Sequence, residues 1–328
     1  MTGLEITEVV IPGSVDAPNA ADFLACIDVR SAVWSHDSGT QDEVRPPEEM
    51  LPGWRKQEFE PKRMLLARLD GRPVGRALAE RVEALAREAR ATKFIVYAPC
   101  WRVGGPRLAA PTGFGDVAAD TPETRLLQSF GYRLEQVERG SRLPLPVDAA
   151  VLEAMQEEAG ETAGDEYRIH TWVDATPPEW REDIAHLLTR MSTDAPSAGL
   201  EESEDPWTVE RLLADEALEE DSPTVRLVAA VEHVPSGRLA GFTELVLPEN
   251  LARPVDQEDT IVVREHRGHR LGMLLKIANI AHLQRVRPGH PRIVTYNAEE
   301  NRHMLDVNEA IGFEPFVYEG AWRKDVPA

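Results

Sequence analysis

Residues Thr260 to Lys276 read TIVVREHRGHRLGMLLK, and the reading of this stretch decides the fold. Four residues of strand character, Thr260, Ile261, Val262 and Val263, run into a basic turn that holds Gly268 and Gly272. The helix-like run LGMLLKIANIAHLQRV follows. A strand that feeds a glycine-bearing turn and opens a helix leaves unpaired backbone N–H groups and the positive helix end at one point. Such a point suits phosphate. Arg264, Arg267, Arg270 and Lys276, with His266 and His269, stand there against one acid, Glu265. In a chain of formal net charge −21 this is a local reversal of sign, which an anionic ligand would account for. Taken alone, the same turn also reads as a plain strand-to-helix connection.

About a strand further on, Asn301 to Phe313 read NRHMLDVNEAIGF, a helix that ends at a glycine. The two stretches together carry a resemblance. RGHRLG resembles the acyl-CoA pyrophosphate loop of GNAT-superfamily N-acyltransferases, whose usual pattern is Q/R-x-x-G-x-G/A. Arg267 matches the first position and Gly272 the last, while Arg270 stands where the middle glycine is usual. An arginine at that position demands an ordinary φ. NRHMLDVNEAIGF resembles the superfamily's N-x-x-A-x-x-L-Y-x-x-x-G-F helix, with Asn301 matching, Met304 in place of the alanine and Asn308 in place of the tyrosine. The match runs from about Tyr167 to Arg323 and is similar to tandem-domain actinobacterial members such as the mycothiol synthase group.

The resemblance implies a fold and a site. The fold is α/β (α+β): two tandem domains, each a mixed central sheet flanked by helices. Arg267, Gly268, His269, Arg270, Leu271 and Gly272 would cradle the pyrophosphate of acetyl-CoA or another acyl-CoA. The backbone of Ile261, Val262 and Val263 would bind pantetheine and polarise the thioester carbonyl. Asn297 and Asn301 flank the following strand-to-helix crossing, where their amides can reach pantetheine or simply cap the helix. The tyrosine that Asn308 replaces often protonates the leaving thiolate. An amide cannot act as that acid, although it can hydrogen-bond sulfur. Tyr296 and Tyr318 are the remaining phenols, each also readable as a packed strand residue.

Acyl transfer to an amine also needs a group that takes the amine's proton. Asp259, just before the strand, and then Glu244, on the preceding strand, are the candidates. Asp259 reads equally as a solvated strand end, and Glu244 as an outward residue of an alternating strand. His266 and His269 have no cysteine or carboxylate to complete a ligand set, and their cationic surroundings oppose a dication, so no metal is expected.

Composition bounds the rest. At 328 residues the length favours two domains. The 42% hydrophobic and 28% charged content is that of a globular protein. The longest apolar runs, such as VRLVAAV, are too short to span a bilayer, and MTGLEITEVVIPG lacks the pattern of a signal peptide. Cys26 and Cys100 cannot make a disulfide framework and suit a reducing cytoplasm. Strong acidity argues against nucleic acid as a partner and favours approach of a cationic one, such as a small-molecule amine.

The first half repeats the second in outline. ETRLLQSFGYRLEQV echoes the C-terminal IGFEPFVYEG, Gly131-Tyr132 corresponding to Gly312-Phe313, and the helix Arg76 to Ala91 corresponds to Leu271 to Val286. This copy is incomplete. DGRPVG reads either as the turn of an early hairpin or as a worn phosphate loop in which Arg72, Gly75 and Ala77 fit the bare consensus. In the second reading Asp70 brings a negative charge and Pro73 removes an N–H donor. The expected organisation is a degenerate domain without a CoA site at 1–145, a linker at 146–166 and an acyl-CoA domain at 167–328. The expected function is CoA-dependent N-acyl transfer, most simply acetyl, to the amine of a small molecule. The missing tyrosine and the incomplete first copy leave a second expectation open, an inert CoA-binding or scaffold module of the same fold.

Overall fold

The run LVAAV, Leu227 to Val231, shows how the second half builds its sheet: it is apolar and buried at every position because both of its faces are covered. The computed structural model describes residues 3–59, 61–75, 79–88, 91–100, 104–194, 196–201 and 204–325. In chain order the elements are β1 (Leu4–Val9), α1 (Ala21–Ser38), α2 (Pro47–Arg55), β2 (Met64–Leu69), β3 (Arg72–Gly75), α3 (Ala79–Glu88), β4 (Lys93–Cys100), β5 (Arg107–Ala109), β6 (Asp116–Ala118), α4 (Pro122–Ser129) and β7 (Arg133–Pro144). There follow α5 (Ala149–Ala163), β8 (Tyr167–Val173), α6 (Arg181–Asp194), α7 (Val209–Glu219), β9 (Val225–His233), β10 (Arg238–Leu247), β11 (Val255–Val262), α8 (Leu271–Val286), β12 (Arg292–Ala298), α9 (Arg302–Ile311) and β13 (Glu314–Asp325). The chain forms two compact units: Met1–Glu138, Ala198–Leu200 and Val317–Ala328 make the first, and Arg139–Ser197 and Glu201–Phe316 the second.

In the first unit β1, β2 and β3 form an antiparallel sheet. Its core gathers Val9, Phe23, Cys26, Ile27, Leu51, Met64 and Leu66. DGRPVG is a hairpin turn here. Asp70 and Gly71 take φ of 50° and 79°, the two left-handed residues that a tight hairpin needs, and Arg72 returns opposite Leu69. Ala77, which would complete the phosphate-loop consensus, lies outside the described residues. A second core of this unit holds Phe94, Val117, Tyr132, Leu134, Val137 and Trp322. Trp322 belongs to β13, whose Tyr318–Asp325 pair antiparallel with Lys93–Cys100 of β4.

In the second unit β8, β9, β10 and β11 pair antiparallel in sequence order, and β12 joins β11 in parallel. Alternation on β9 sends Ala229 and Val231 to one face, against Ala159 of α5 and Leu271, Leu274 and Leu275 of α8. Val228 and Ala230 point to the other face, against Ile184 and Leu187 of α6 and Leu212 of α7. Residues 146–166, expected to be a linker that holds a short helix, contain the helix α5. Asp148 caps it by accepting from the Ala150 N–H at 2.8 Å, and Leu152, Ala159 and Ala163 form its buried stripe. The spacing of these three is helical, and small residues let α5 lie close on α8.

Candidate active site

In the turn RGHRLG the Arg267 N–H donates to the Arg264 carbonyl at 3.3 Å, and the donors after it are left without partners. After one turn of 3₁₀ helix at Arg264–His266, Gly268 takes φ of 90° and Arg270 φ of 55°, and α8 starts at Leu271 with no side chain capping it. Among the described residues nothing accepts from the N–H groups of Gly268 through Met273. An uncapped N-terminus of a sixteen-residue helix joined to a run of free N–H groups is a strong anion cradle. A Cβ added at Gly268 or Gly272 would meet nothing within 4 Å, so the space over the turn is open. Leu271 is buried and offers its N–H alone.

Arg270 departs from the sequence expectation. It adopts the left-handed conformation in place of an ordinary φ, because the chain must turn sharply into α8 at that residue. For a side chain this costs roughly 1–2 kcal/mol. Its guanidinium pairs with Glu158 of α5. Arg267 is a brace: its Nε donates to the Val262 carbonyl at 3.0 Å and its Nη2 to Asp194 at 3.0 Å. Asp194, with only 2% of its side chain exposed, also receives Arg190 and, at 3.3 Å, Arg264. Three guanidinium groups on one carboxylate leave positive charge over beside the loop. Asp194 was not foreseen, since it lies at the end of a helix far away in sequence.

The histidines support the turn from below. The Tyr167 hydroxyl lies 2.9 Å from His266 Nδ1, and the rings of His269 and His233 pack against Tyr167 at 5.3 and 5.5 Å. Burial pushes the His266 pKa below its usual range, and His233 and His269 add to that. No group of described residues is arranged to hold a metal ion.

β11 and β12 meet only at Val255 with Ile293 and Asp256 with Val294, although both strands run on past these pairs. Beyond Gln257, whose carbonyl accepts from the Thr295 hydroxyl at 3.3 Å, they diverge. The Val263 N–H is committed to Ala240 of the neighbouring chain segment at 3.0 Å. Because the N–H direction alternates along a strand, Ile261 faces β10 as well, and Val262 turns its N–H toward the gap. Of the three strand residues expected to face the thioester, Val262 therefore has the free donor. Across the gap, Asn308 of α9 is buried, and its Nδ2 donates to Asn297 Oδ1 at 2.7 Å while its Oδ1 has no partner. Asn301 caps α9, its Oδ1 accepting from the Met304 N–H at 3.4 Å.

The two candidate bases meet on the opposite face of β10 and β11. Asp259, expected just before the strand, lies within β11, which starts four residues earlier because Gln257 is buried and donates to Thr243 Oγ1 and the Glu244 carbonyl. Glu244 and Asp259 line one cavity of about 130 Å³. Its floor is apolar, from Ile184, Leu188, Leu212, Val228 and Phe242, with Trp172 and Trp207 alongside. Asp174, Asp215 and Arg226 complete the charged wall. Arg226 lies between Glu244 at 3.5 Å and Asp215 at 3.7 Å. Burial pushes Glu244 up to about 7 against the pull of Arg226, and nearby Asp259 adds to the rise. Burial and then Glu258 raise Asp259 to about 6. Neither Arg226 nor Asp215 was singled out in the sequence.

Comparison with solved structures fits this architecture. A tandem GNAT protein from the clavulanic acid biosynthesis pathway, solved without AcCoA, superposes with a TM-score of 0.67 over 99% of both chains at 19% identity. This chain has the tandem GNAT fold. A GCN5-related N-acetyltransferase from Sphaerobacter thermophilus gives 0.54 at 13% identity, over 98% of this chain and 96% of that one. The glucosamine N-acetyltransferase region of a fungal multi-domain GH3 β-N-acetylglucosaminidase gives 0.51 at 13% identity, over 99% of this chain and 38% of that one. In this GNAT fold the turn before α8 and the gap between β11 and β12 adjoin one another in the second unit. No family profile and no curated protein matches the sequence. Among the described residues no helix is long and apolar enough to cross a membrane.

Proposed function

We propose that the second unit transfers an acyl group, most simply acetyl, from an acyl-CoA to the amine of a small molecule. The observation that carries this reading is one set of unsatisfied donors. The N–H groups of Gly268 through Met273 sit at an uncapped helix end, and Val262 offers its N–H where β11 and β12 part. The first set suits a pyrophosphate and the second a thioester carbonyl. That the solved neighbours are described as acetyltransferases supports acetyl-CoA as donor.

The thioester supplies the activated acyl carbon, and the residues of the chain do the rest. Glu244 takes one proton of the incoming ammonium, the nitrogen lone pair forms the C–N bond, the C–S bond breaks with its electrons on sulfur, and the second proton that the nitrogen sheds passes to the thiolate. Asn308, which stands where the family pattern has its phenol, can offer the sulfur its second Nδ2–H as a hydrogen bond but cannot act as an acid. Glu244 is preferred to Asp259 as the base. Glu244 is held on the cavity wall by Arg226 at 3.5 Å, and burial raises both carboxyls toward the range in which a base acts best.

The experiment is incubation with acetyl-CoA and a panel of amines, reading free thiol. Activity should rise as pH increases through about 7, because the base must be ionised. Glu244→Gln should lower turnover about a hundredfold or more and remove that rise, with CoA affinity unchanged. Asp259→Asn should cost about tenfold. Full activity in Glu244→Gln with a tenfold or larger loss in Asp259→Asn would move the base to Asp259. Release of no thiol with any amine, in protein that binds CoA, would favour the inert module.

A further inference from the structure

The cavity beside Glu244 says what kind of amine enters. Four carboxylates, Asp174, Asp215, Glu244 and Asp259, share its wall with one guanidinium, Arg226. That guanidinium is already flanked by Glu244 and Asp215. Asp174 is fixed as well, accepting from the Arg226 backbone N–H at 2.9 Å. A carboxylate arriving with the substrate would thus find its only cation engaged and three or more like charges nearby, which costs affinity. An ammonium finds carboxylates whose burial it relieves, beside the side chains of Trp172 and Trp207.

The floor sets the body of the ligand. Ile184, Leu212, Val228 and Phe242 are all at most 4% exposed, so the floor is apolar and suits an apolar body better than a hydroxyl-rich one. The buried Nε1 of Trp172 has no partner and is one polar handle at that wall. Trp207 is held in place from outside: Arg211 stacks 4.1 Å from its ring centre, and its Nε1 donates to Asp205 at 3.2 Å. The volume of about 130 Å³ is close to that of an engineered apolar cavity, about 150 Å³, that admits benzene.

We propose that the acceptor is a primary ammonium on a short apolar or aromatic body, without a carboxylate beside the reacting nitrogen. The ammonium docks against Glu244 and Asp259, and the body lies on Phe242 and Leu212 between Trp172 and Trp207. This rests on the acyl-transfer reading for the cavity's role as the acceptor end, and it goes beyond that reading in naming the class of amine.

The test is calorimetric titration of the full chain at pH 8 with CoA present, using phenethylamine, 2-phenylethanol, phenylalanine and glucosamine as probes. At pH 8 both carboxylates are ionised and the alkylamine is still charged. Phenethylamine should bind at least about tenfold more tightly than each of the other three, a difference of about 1.4 kcal/mol. Its affinity should fall as pH drops from 8 to 6 and the carboxylates protonate. Asp259→Asn should weaken phenethylamine about tenfold and leave the CoA Kd as it was, and Phe242→Leu should weaken phenethylamine and phenylethanol alike. Equal or tighter binding of phenylalanine, phenylethanol or glucosamine would overturn the proposal. Titration with CoA alone is the separate arm. If CoA fails to bind while the order of amines holds, the acyl-transfer reading falls and the amine site stands. If CoA binds and the order fails, the reverse is true.

Discussion

Two glycine turns in this chain look alike on paper and do opposite things. In DGRPVG, Asp70 and Gly71 close a hairpin, and Arg72–Gly75 return along β2 as a ladder strand. In RGHRLG, Gly268 and Arg270 turn the chain away from its sheet into α8, and the N–H groups from Gly268 to Met273 are left with no acceptor. Letters at loose spacing do not make a phosphate site. Donors that the fold has not used do, and whether a turn leads to a strand or to a helix determines whether any remain.

The largest effect should come from filling the second turn. Gly272→Glu places a carboxylate over the free donors, in a space where no protein atom lies within 4 Å. Gly272 itself has an ordinary φ, so folding is tolerated. CoA affinity should fall at least about a hundredfold by calorimetry, with little change in melting temperature. Gly75→Glu in the first turn should leave the CoA Kd and a stoichiometry of one per chain unaltered. Two equivalent CoA sites in the unmodified chain would break the comparison.

A smaller effect should come from Lys276, one turn into α8. Its side chain is buried, its ammonium faces the Phe313 ring at 5.7 Å, and burial pushes its pKa down to about 7. The cost of burying the charge is therefore fully present below about pH 7 and fades as pH rises toward the ordinary lysine value. Lys276→Met should raise stability by about 2–4 kcal/mol at pH 6, seen in denaturant midpoints, and the gain should shrink at pH 9. A gain independent of pH would mean that the ammonium is not buried in the solution state.

The smallest effect concerns Arg270. Replacing it by glycine removes the left-handed strain but adds chain freedom to the unfolded state, so Arg270→Gly should change stability by less than about 1 kcal/mol. The sharper measure is its difference from Arg270→Ala, which keeps the strain and loses the Glu158 pair. Glycine should exceed alanine there by about 1 kcal/mol. Alanine exceeding glycine would place Arg270 in an ordinary conformation, as the sequence suggests.

How far the sequence reached follows from which interactions are local. The turn before α8 was legible because strand, glycines and helix are contiguous, and two linked motifs pointed to the GNAT fold. A short helix at α5 is legible in the spacing of Leu152, Ala159 and Ala163, but its packing on α8 is not, because the partner residues lie more than a hundred positions away. Asp259 reads as one step outside its strand because VDQED is polar, and only its pairing with β10, Gln257 opposite Leu245 and Asp256 opposite Val246, makes it a strand. Asp194, Arg226 and Asp215 escaped notice because each acquires its meaning from a partner many residues away. The φ of Arg270 escapes the sequence for the opposite reason: propensity is a local rule, and here the need to turn into α8 overrides it.

One pairing in the first unit has a consequence for how the chain is made. β4 ends at Cys100, and its partner strand, Tyr318–Asp325, is synthesised more than two hundred residues later. At roughly 5–20 residues per second on the ribosome, the wait between the two strands is on the order of ten to forty seconds. Throughout that time β4 has an unpaired edge, open to any extended neighbour. A stalled or truncated product therefore leaves the cell holding an N-terminal half with a strand still seeking its complement, a natural client for a chaperone.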